Sequence, residues 1–271
     1  MNQNLVSKKS GDRWSVMQLE PSEDSSALLN WSSSNRSCIE KPIDATGTFA
    51  RRLSTRRAFD QESLWDRMAR RGHLLPAHID ELAGQPCRFH RDCAVADPHG
   101  PAGQPAQLRA PVLDNLAALD DACVADHDQA LLHGLREWEA ATFASLESVF
   151  TARLREGRVC DVHGDLHLGN VACTDGHTTV FDCIDFNAAF RWIDVMSEIA
   201  FMAMDLHSHG MPLLAHRFVD AYLACTGDYG GVRVLRYYVV HRALVRAKVG
   251  ALRAVQVQLR GLGHAVSIAP L

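Results

Sequence analysis

The stretch "VCDVHGDLHLGNVACTDG", from Val159 to Gly176, decides the fold. A short apolar strand candidate, "RVCDVHG", enters it, and "NVACTDGHTTVFDCIDF" is the pattern of a strand, an Asp-Gly turn and a second strand. The polar residues His163, Asp165 and Asn170 lie between these strands. They could form a phosphotransfer loop, a metal site or an ordinary polar turn.

The spacing of these polar residues favours phosphoryl transfer. That reaction needs a carboxylate to orient the acceptor hydroxyl and metal ligands to neutralise the phosphates. The catalytic loop of protein kinases supplies them as His-x-Asp followed five positions later by Asn, with a metal-binding Asp on the next hairpin. Here His163, Asp165 and Asn170 have that spacing, and Asp182 and Asp185 follow the turn. We predict that His163 braces the loop by hydrogen bonding rather than transferring protons.

A rival interpretation of the same loop is a dinuclear metal site. "GDLHLGN" also resembles the Gly-Asp-x-His-Gly loop of metallophosphatases, in which Asp and His bind metal ions. Such sites need further Asp, Asn and His ligands on separate strand ends. No second Gly-Asp-x-x-Asp or Gly-Asn-His loop follows, and the C-terminal half has a helical pattern. We therefore expect His167 to be a loop residue rather than a metal ligand.

Composition limits the partners and the location. With 271 residues, 47% of them hydrophobic, the chain can bury the core of one large domain or two modest ones. A net charge of -4 without a basic stripe argues against nucleic acid, and the longest apolar runs are too short to span a membrane. Eight cysteines without a C-x-x-C pair and a polar start without a secretory signal predict a cytoplasmic protein with reduced thiols.

Apolar periodicity predicts a largely helical body. Short helices are expected in "FDQESLWDRMARRG" and from Pro76 in "PAHIDELAGQPCRFHRD", the latter with a kink or break at Gly84 and Pro86. The Pro- and Gly-rich segment Ala96 to Pro111 is predicted to be a surface loop. A long helix should follow in "QALLHGLREWEAATFASLESVFTARLREG", and three more should follow Ile193.

Several of these segments together resemble a known family. "HGDLHLGN", "VFDCIDFN" and "RWIDVMSEIAFMAMDL" resemble the aminoglycoside phosphotransferase-like kinases, a branch of the protein-kinase-like fold. "TGDYGGVRVLRYYVVHRALVRAKVGALRA" is similar to the bacterial bifunctional aminoglycoside phosphotransferase/ATP-binding proteins. The resemblance covers about residues 56 to 260. It implies an α+β fold that is mainly a helical C-lobe, with a small β-hairpin carrying the catalytic loop and a reduced or disordered N-lobe.

The resemblance also implies a reaction and a set of roles. The chain would transfer the γ-phosphate of ATP, with Mg²⁺, to a hydroxyl of a small molecule whose identity the sequence does not indicate. Asp165 would be the catalytic base, beside His163 in the loop. Asn170 would bind the nucleotide-bound magnesium together with a hairpin aspartate. Spacing from Asn170 favours Asp182 for this role, and Asp185 is the second choice.

Two departures from the family pattern support a second hypothesis. The family's β-rich N-lobe has roughly a hundred residues, whereas residues 1 to about 48 here are serine-rich and predicted to be poorly ordered. We therefore divide the chain into a remnant N-lobe at 1–55, with Lys41 near the position of the family lysine, and a phosphotransferase domain at 56–265. No G-x-x-x-x-G-K-[ST] motif of a P-loop ATPase domain occurs.

On this second hypothesis the chain is a truncated or catalytically weak kinase-like binding module. A reduced N-lobe predicts weak ATP binding and an exposed C-lobe face that favours self-association. One more feature bears on the acceptor. The acidic residues Asp194, Glu198 and Asp205 lie on or near one predicted helix, where they could contact a cationic acceptor, be solvated or cap helices. Asp194 precedes a long helix and can satisfy its free amides.

Overall fold

The structure, a computed structural model, describes the backbone of residues 5–10, 13–18, 60–122 and 126–266 and the side chains of 60–121 and 128–254. Lys41 lies outside the described residues. So does most of the segment predicted to be a remnant N-lobe, and the division into domains at residue 55 stays a prediction.

Helices make up most of the described chain. In chain order the α-helices are α1 (Trp65–Arg70), α2 (Pro76–Asp92), α3 (Pro105–Ala122), α4 (Asp126–Arg155), α5 (Val195–Ser208), α6 (Pro212–Thr226) and α7 (Val232–Val266). Single turns of 3-10 helix occur at Gln61–Ser63, Leu168–Asn170, Ala188–Phe190 and Tyr229–Gly231. The long helix predicted before the loop is confirmed as α4, and the three helices predicted after Ile193 are confirmed as α5, α6 and α7.

Three antiparallel pairs of strands complete the described structure. They are β1 (Leu5–Ser10) with β2 (Arg13–Gln18), β3 (Val159–Asp161) with β6 (Trp192–Asp194), and β4 (Val171–Thr174) with β5 (His177–Val180). The pair β4–β5 is the predicted hairpin. Its turn residues Asp175 and Gly176 have φ values of 53° and 79°. Positive φ at both central positions is what an Asp-Gly hairpin turn requires.

The core is centred on α5. Every residue of this helix from Val195 to Leu206 is buried, because α5 packs against both α6 and α7 and is therefore enclosed on all sides. Helix α2 packs on α6, and α3 packs on α7. The largest fully buried side chains include Trp65, Phe150 and Tyr237. This helical body is the support on which the polar loop rests.

The helices differ from the sequence prediction at two places. Helix α2 runs from Pro76 to Asp92 without a break, and Pro86 is buried within it. Helix α3 begins at Pro105, inside the predicted surface loop, and contains Pro111. In α3 the residues Val112, Leu116 and Leu119 are buried. Burial of such an apolar face outweighs the loss of one backbone hydrogen bond at a proline, and Pro is well suited to the first helical position.

The prediction of reduced thiols is wrong for one pair. Cys87 of α2 and Cys225 of α6 form a disulfide across a sequence separation of 138 residues. The spacing of the cysteines along the sequence gives no sign of this bond, because the packing of two distant helices creates it. Among the other described cysteines, Cys93, Cys160 and Cys173 are free thiols. As to membranes, no described helix combines the length and apolar character that a membrane crossing needs.

Candidate active site

The polar loop follows β3 and passes close beneath the segment that returns to β6. The Val162 N–H donates to the carbonyl oxygen of Arg191 (3.0 Å). Gly164 has a φ of +83°, and a Cβ atom there would lie 2.7 Å from the carbonyl oxygen of Phe190. Glycine is required at this point because any side chain would be strained in its backbone and would collide with the returning segment.

His163 joins the loop to the hairpin. Its Nδ1 accepts from the backbone N–H of Asp165 (3.3 Å), and its Nε2 donates to the carbonyl oxygen of Phe181 (2.9 Å). In this arrangement Nδ1 is the acceptor and Nε2 is the donor. This geometry is the bracing role that the spacing predicts. Because both ring nitrogens are engaged, His163 has no atom for an acceptor proton, and the geometry does not favour counting it among the catalytic residues.

Asp165 is the partly exposed carboxylate at the centre of the loop, with 35% of its side chain accessible. The Asn170 Nδ2 donates to its Oδ2 and to its backbone oxygen, both at 2.9 Å, and His167 Nε2 lies 3.5 Å from the same Oδ2. Burial raises the pKa of Asp165, but the contacts with His167 and Asn170 and the charge of Arg242 outweigh it and lower that pKa below its usual value. Asp165 is thus ionised at neutral pH, and Oδ1 is the oxygen that an incoming hydroxyl would meet.

Asn170 joins the end of the loop to the returning strand. Its backbone N–H donates to the carbonyl oxygen of His167 (2.9 Å), and its carbonyl oxygen accepts from the Phe181 N–H (3.0 Å). Its side-chain nitrogen faces Asp165, so the amide oxygen is the atom available to a cation. The structure therefore brings together Asp165 and Asn170, as the spacing predicts.

His167 has a larger part in the site than the sequence predicted. It caps the 3-10 turn Leu168–Asn170, and its Nδ1 accepts from the Gly169 N–H (3.0 Å). The proton is therefore on Nε2, which faces Asp165. His167 orients the Asp165 carboxylate, and the Asp-x-His spacing was the signal for this contact.

The two candidate metal ligands, Asp182 and Asp185, are both exposed. Each follows a residue that is hydrogen-bonded to His163. Asp182 follows Phe181, and Asp185 follows Ile184, whose N–H donates to the His163 carbonyl oxygen (3.2 Å). Of these two residues, only Asp182 has a left-handed backbone, with a φ of 62°. Such strain in a residue other than glycine costs about 1 kcal/mol or more and is concentrated at functional sites. The conformation supports Asp182 as the metal ligand.

The donor set fits magnesium better than a dinuclear metal centre. No group of three or more His, Cys, Asp or Glu side chains within the described ranges could hold a metal ion, which a metallophosphatase centre would need. Mg²⁺ typically takes only one or two carboxylates from the protein and the rest of its ligands from phosphates and water. Asn170 and Asp182 offer an amide oxygen and a carboxylate, which are donor types that suit that mode of binding.

Buried carboxylates of α5 hold the loop from below. Glu198 Oε1 accepts from the Gly164 N–H (3.2 Å), and its Oε2 lies 2.6 Å from His90 Nε2. Asp205 Oδ2 accepts from the Leu168 N–H (2.9 Å). Both carboxylates are almost completely buried. The sequence did not indicate this role, because it shows which residues share a helix but not what covers them.

The idea that these acidic residues contact a cationic acceptor is wrong. Asp194, Glu198 and Asp205 are at most 3% exposed, and each is bound within the protein. Asp205 Oδ1 accepts from Arg246 (2.7 Å), and the Asp194 carboxylate accepts two hydrogen bonds from Arg153. The capping role of Asp194 is confirmed, because its Oδ1 accepts from the Met196 N–H (2.9 Å) at the start of α5.

Comparison with known proteins bears on the family and the fold of the chain. The sequence profile described as "Phosphotransferase enzyme family" matches residues 94–235. Among solved structures, glucosamine kinase superposes in two crystal forms with TM-scores of 0.51 and 0.52 and sequence identities of 20% and 19%. The matches cover 70% and 78% of this chain and 55% and 61% of the glucosamine kinase chain. The chain therefore has the kinase-like fold predicted for it.

Curated relatives come from mycobacteria. The uncharacterized protein Rv2004c of Mycobacterium tuberculosis is 28% identical over 217 residues, and the uncharacterized protein Mb2027c of Mycobacterium bovis matches equally. The match covers 78% of this chain but 42% of each relative. The chain thus spans less than half the length of these curated relatives.

Proposed function

From the premise that this chain belongs to the phosphotransferase enzyme family, we propose that it transfers the terminal phosphate of ATP to a hydroxyl of a small molecule at the loop around Asp165. The observation that carries the proposal is the pair of hydrogen bonds from Asn170 to Asp165. They fix the candidate base and a candidate metal ligand against each other at the spacing that phosphoryl transfer uses.

Asp165 would act on the acceptor. Its Oδ2 is held by Asn170 and His167, and Oδ1 accepts the hydrogen bond of the acceptor hydroxyl and points the hydroxyl oxygen at phosphorus. The new bond joins that oxygen to the terminal phosphorus, and the bond from phosphorus to the ADP oxygen breaks. The hydroxyl proton passes to Asp165 and from there to solvent.

Asn170 and Asp182 would hold Mg²⁺, with Asp185 as the second choice for the hairpin ligand. The left-handed backbone of Asp182 and the direction of the Asn170 amide support this assignment. When bound with the nucleotide, the ion would neutralise phosphate charge. Because the protein offers few ligands, binding of magnesium without nucleotide should be weak.

The first acceptors to test are sugars and amino sugars, because glucosamine kinase shares the fold. The closer likeness to the bifunctional aminoglycoside phosphotransferase/ATP-binding proteins stays a prediction, and so does a cytoplasmic location. Aminoglycosides themselves have less support, since the carboxylates of α5 are buried and neutralised rather than open to a polycation.

The proposal is tested by a panel of acceptors. Formation of ADP from Mg-ATP is measured with glucosamine, neutral hexoses, amino alcohols and an aminoglycoside, and phosphorus NMR identifies the product. We expect a phosphate monoester with at least one acceptor. If the chain binds Mg-ATP but phosphorylates none of them, the binding-module hypothesis gains support. If it neither binds nor consumes nucleotide, the proposed function is wrong.

A further inference from the structure

A buried arginine of α7 lies against α5 without a carboxylate partner in the described chain. Arg242 of α7 is only 8% exposed. Its Nε donates to the carbonyl oxygen of Ser197 (3.1 Å), and its guanidinium carbon lies 4.8 Å from the centre of the Phe201 ring. These two contacts fix the plane of the guanidinium on the surface of α5.

Two other arginines differ from Arg242 because each is paired with a carboxylate. Arg153 binds the carboxylates of Asp194 and Asp228, and Arg246 binds Asp205. Arg242 forms no ion pair with any residue of the described chain. An arginine has five N–H donors, and the contacts found here use only Nε. Because an unpaired buried charge is costly, the terminal N–H groups of Arg242 are suited to an anion that comes from outside the protein.

The position of Arg242 connects it with the reaction. The Phe201 ring that it covers lies 5.2 Å from the His167 ring, and His167 in turn contacts Asp165. Burial lowers the pKa of Arg242, whereas the charges of Asp165 and Glu198 favour its charged form. The terminal nitrogens of Arg242 are thus connected with the Asp165 carboxylate through Phe201 and His167.

We propose that Arg242 is an oxyanion-binding residue of this site, whose terminal N–H groups hold a phosphoryl or other anionic oxygen beside Asp165. The role of Arg242 in the reaction rests on the proposed function, whereas its binding of an oxyanion does not. The oxyanion has two sources. One is the phosphoryl group under transfer, and the other is an anionic substituent of the acceptor. Arginine suits both, because its planar fork matches two oxygens of one group.

The test is a binding experiment that needs no turnover. Arg242→Met is compared with Arg236→Met, a matched control on the same helix, because Arg236 is exposed and lies over Trp138 (5.7 Å). Calorimetry measures the affinities for inorganic phosphate, Mg-ADP and the non-hydrolysable ATP analogue Mg-AMPPNP, at concentrations up to the millimolar range. We expect Arg242→Met to weaken oxyanion binding about tenfold or more, as for loss of a charged hydrogen bond, and Arg236→Met to leave it unchanged.

The three ligands distinguish the two sources. A loss for Mg-AMPPNP without a loss for Mg-ADP assigns Arg242 to the transferred phosphoryl group. A loss for inorganic phosphate alone assigns it to an anionic acceptor. If the wild-type chain binds no nucleotide, the proposed function fails, and inorganic phosphate alone decides the role of Arg242.

Two results would overturn the inference. One is a folded Arg242→Met protein that binds all three ligands as the wild type does. The other is a wild-type chain that binds none of them. If circular dichroism shows that Arg242→Met does not fold, Arg242→Lys is tested instead. Lysine keeps the positive charge but lacks the planar guanidinium that can bind two oxygens at once. Wild-type affinities in a folded Arg242→Lys protein would then refute the proposal.

Discussion

At the scale of single residues, the site depends on which oxygen of Asp165 is already engaged. Asn170 and His167 both contact Oδ2, so the ionised carboxylate is held at one oxygen while its side chain stays 35% exposed. His163 is also engaged in this way, because its two ring nitrogens form hydrogen bonds that connect the loop and the hairpin. Removing such a brace would leave two backbone groups without partners rather than remove a proton carrier.

The choice of metal ligand is a prediction at this scale. We expect Asp182→Asn to weaken the binding of Mg-ATP about tenfold or more, because it removes a charge from the proposed magnesium site. Asp185→Asn is the matched control and should stay within about twofold of wild type. Titrating Mg²⁺ into each variant at fixed ATP gives the comparison.

The opposite order of effects would make Asp185 the metal ligand. Equal, tight binding of zinc or manganese without nucleotide in the wild type would instead favour a metallophosphatase-like site.

At the scale of elements, the loop depends on a glycine that no other residue can replace. Gly164 and Gly176 both have positive φ, of +83° and +79°, but a Cβ on Gly176 would meet nothing within 4 Å. We expect Gly176→Ala to cost about 1 kcal/mol of unfolding free energy through its backbone alone. Gly164→Ala should cost about 2 kcal/mol or more and reduce turnover about a hundredfold, because the loop must shift. Urea unfolding and steady-state kinetics measure both, and equal effects at the two positions would contradict the account.

The attachment of the loop to α5 gives a prediction about pH. Burial raises the pKa of Glu198, but the hydrogen bond and charge of His90 outweigh it and hold that pKa below the usual value of 4.5. The folded state therefore favours the ionised form. Its contribution to stability is fully present above about pH 4.5 and is lost as the pH falls through the lower folded pKa.

We expect Glu198→Gln to lower the unfolding free energy by about 3 kcal/mol at pH 7, because it breaks a buried pair. It should also flatten the fall in stability between pH 5 and pH 3. Glu137→Gln is the control, since the Glu137 side chain is 74% exposed and such surface changes stay within about 0.5 kcal/mol. Unfolding curves across this pH range would refute the account if both variants kept the acid dependence of wild type.

The sequence predicted elements well where the pattern is local. The Asp175-Gly176 turn specifies the hairpin β4–β5, and the apolar stripe specifies α4. Prediction from the sequence failed where the packing of distant segments determines the structure. The composition of the segment from Pro105 suggests a loop, but burial of Leu116 against the helical body makes it a helix. Glu198 could be a solvated surface residue by its sequence, but it is buried and binds the Gly164 N–H. Similarly, Arg242 lies in an ordinary amphipathic pattern, and only the packing of α7 on α5 places it against Ser197 and Phe201.

At the scale of the whole molecule, the helical body and the loop form one unit. Glu198 and Asp205 connect the loop to α5, and Arg246 connects Asp205 to α7. The catalytic loop should therefore keep its shape as long as the helices stay packed. The weak affinity for ATP expected from the serine-rich N-terminal segment stays a prediction, and so does self-association.

The most direct test of the central claim is the transfer of labelled γ-phosphate from Mg-ATP to the best acceptor of the panel, by the wild-type chain and by Asp165→Asn. Asparagine keeps the shape of the side chain but loses the charge that accepts the hydroxyl proton. We predict that the variant keeps the wild-type melting temperature and nucleotide affinity but transfers phosphate at least about a hundredfold more slowly. A folded Asp165→Asn protein that transfers phosphate at the wild-type rate would contradict the account, because Asp165 would then have no part in the reaction.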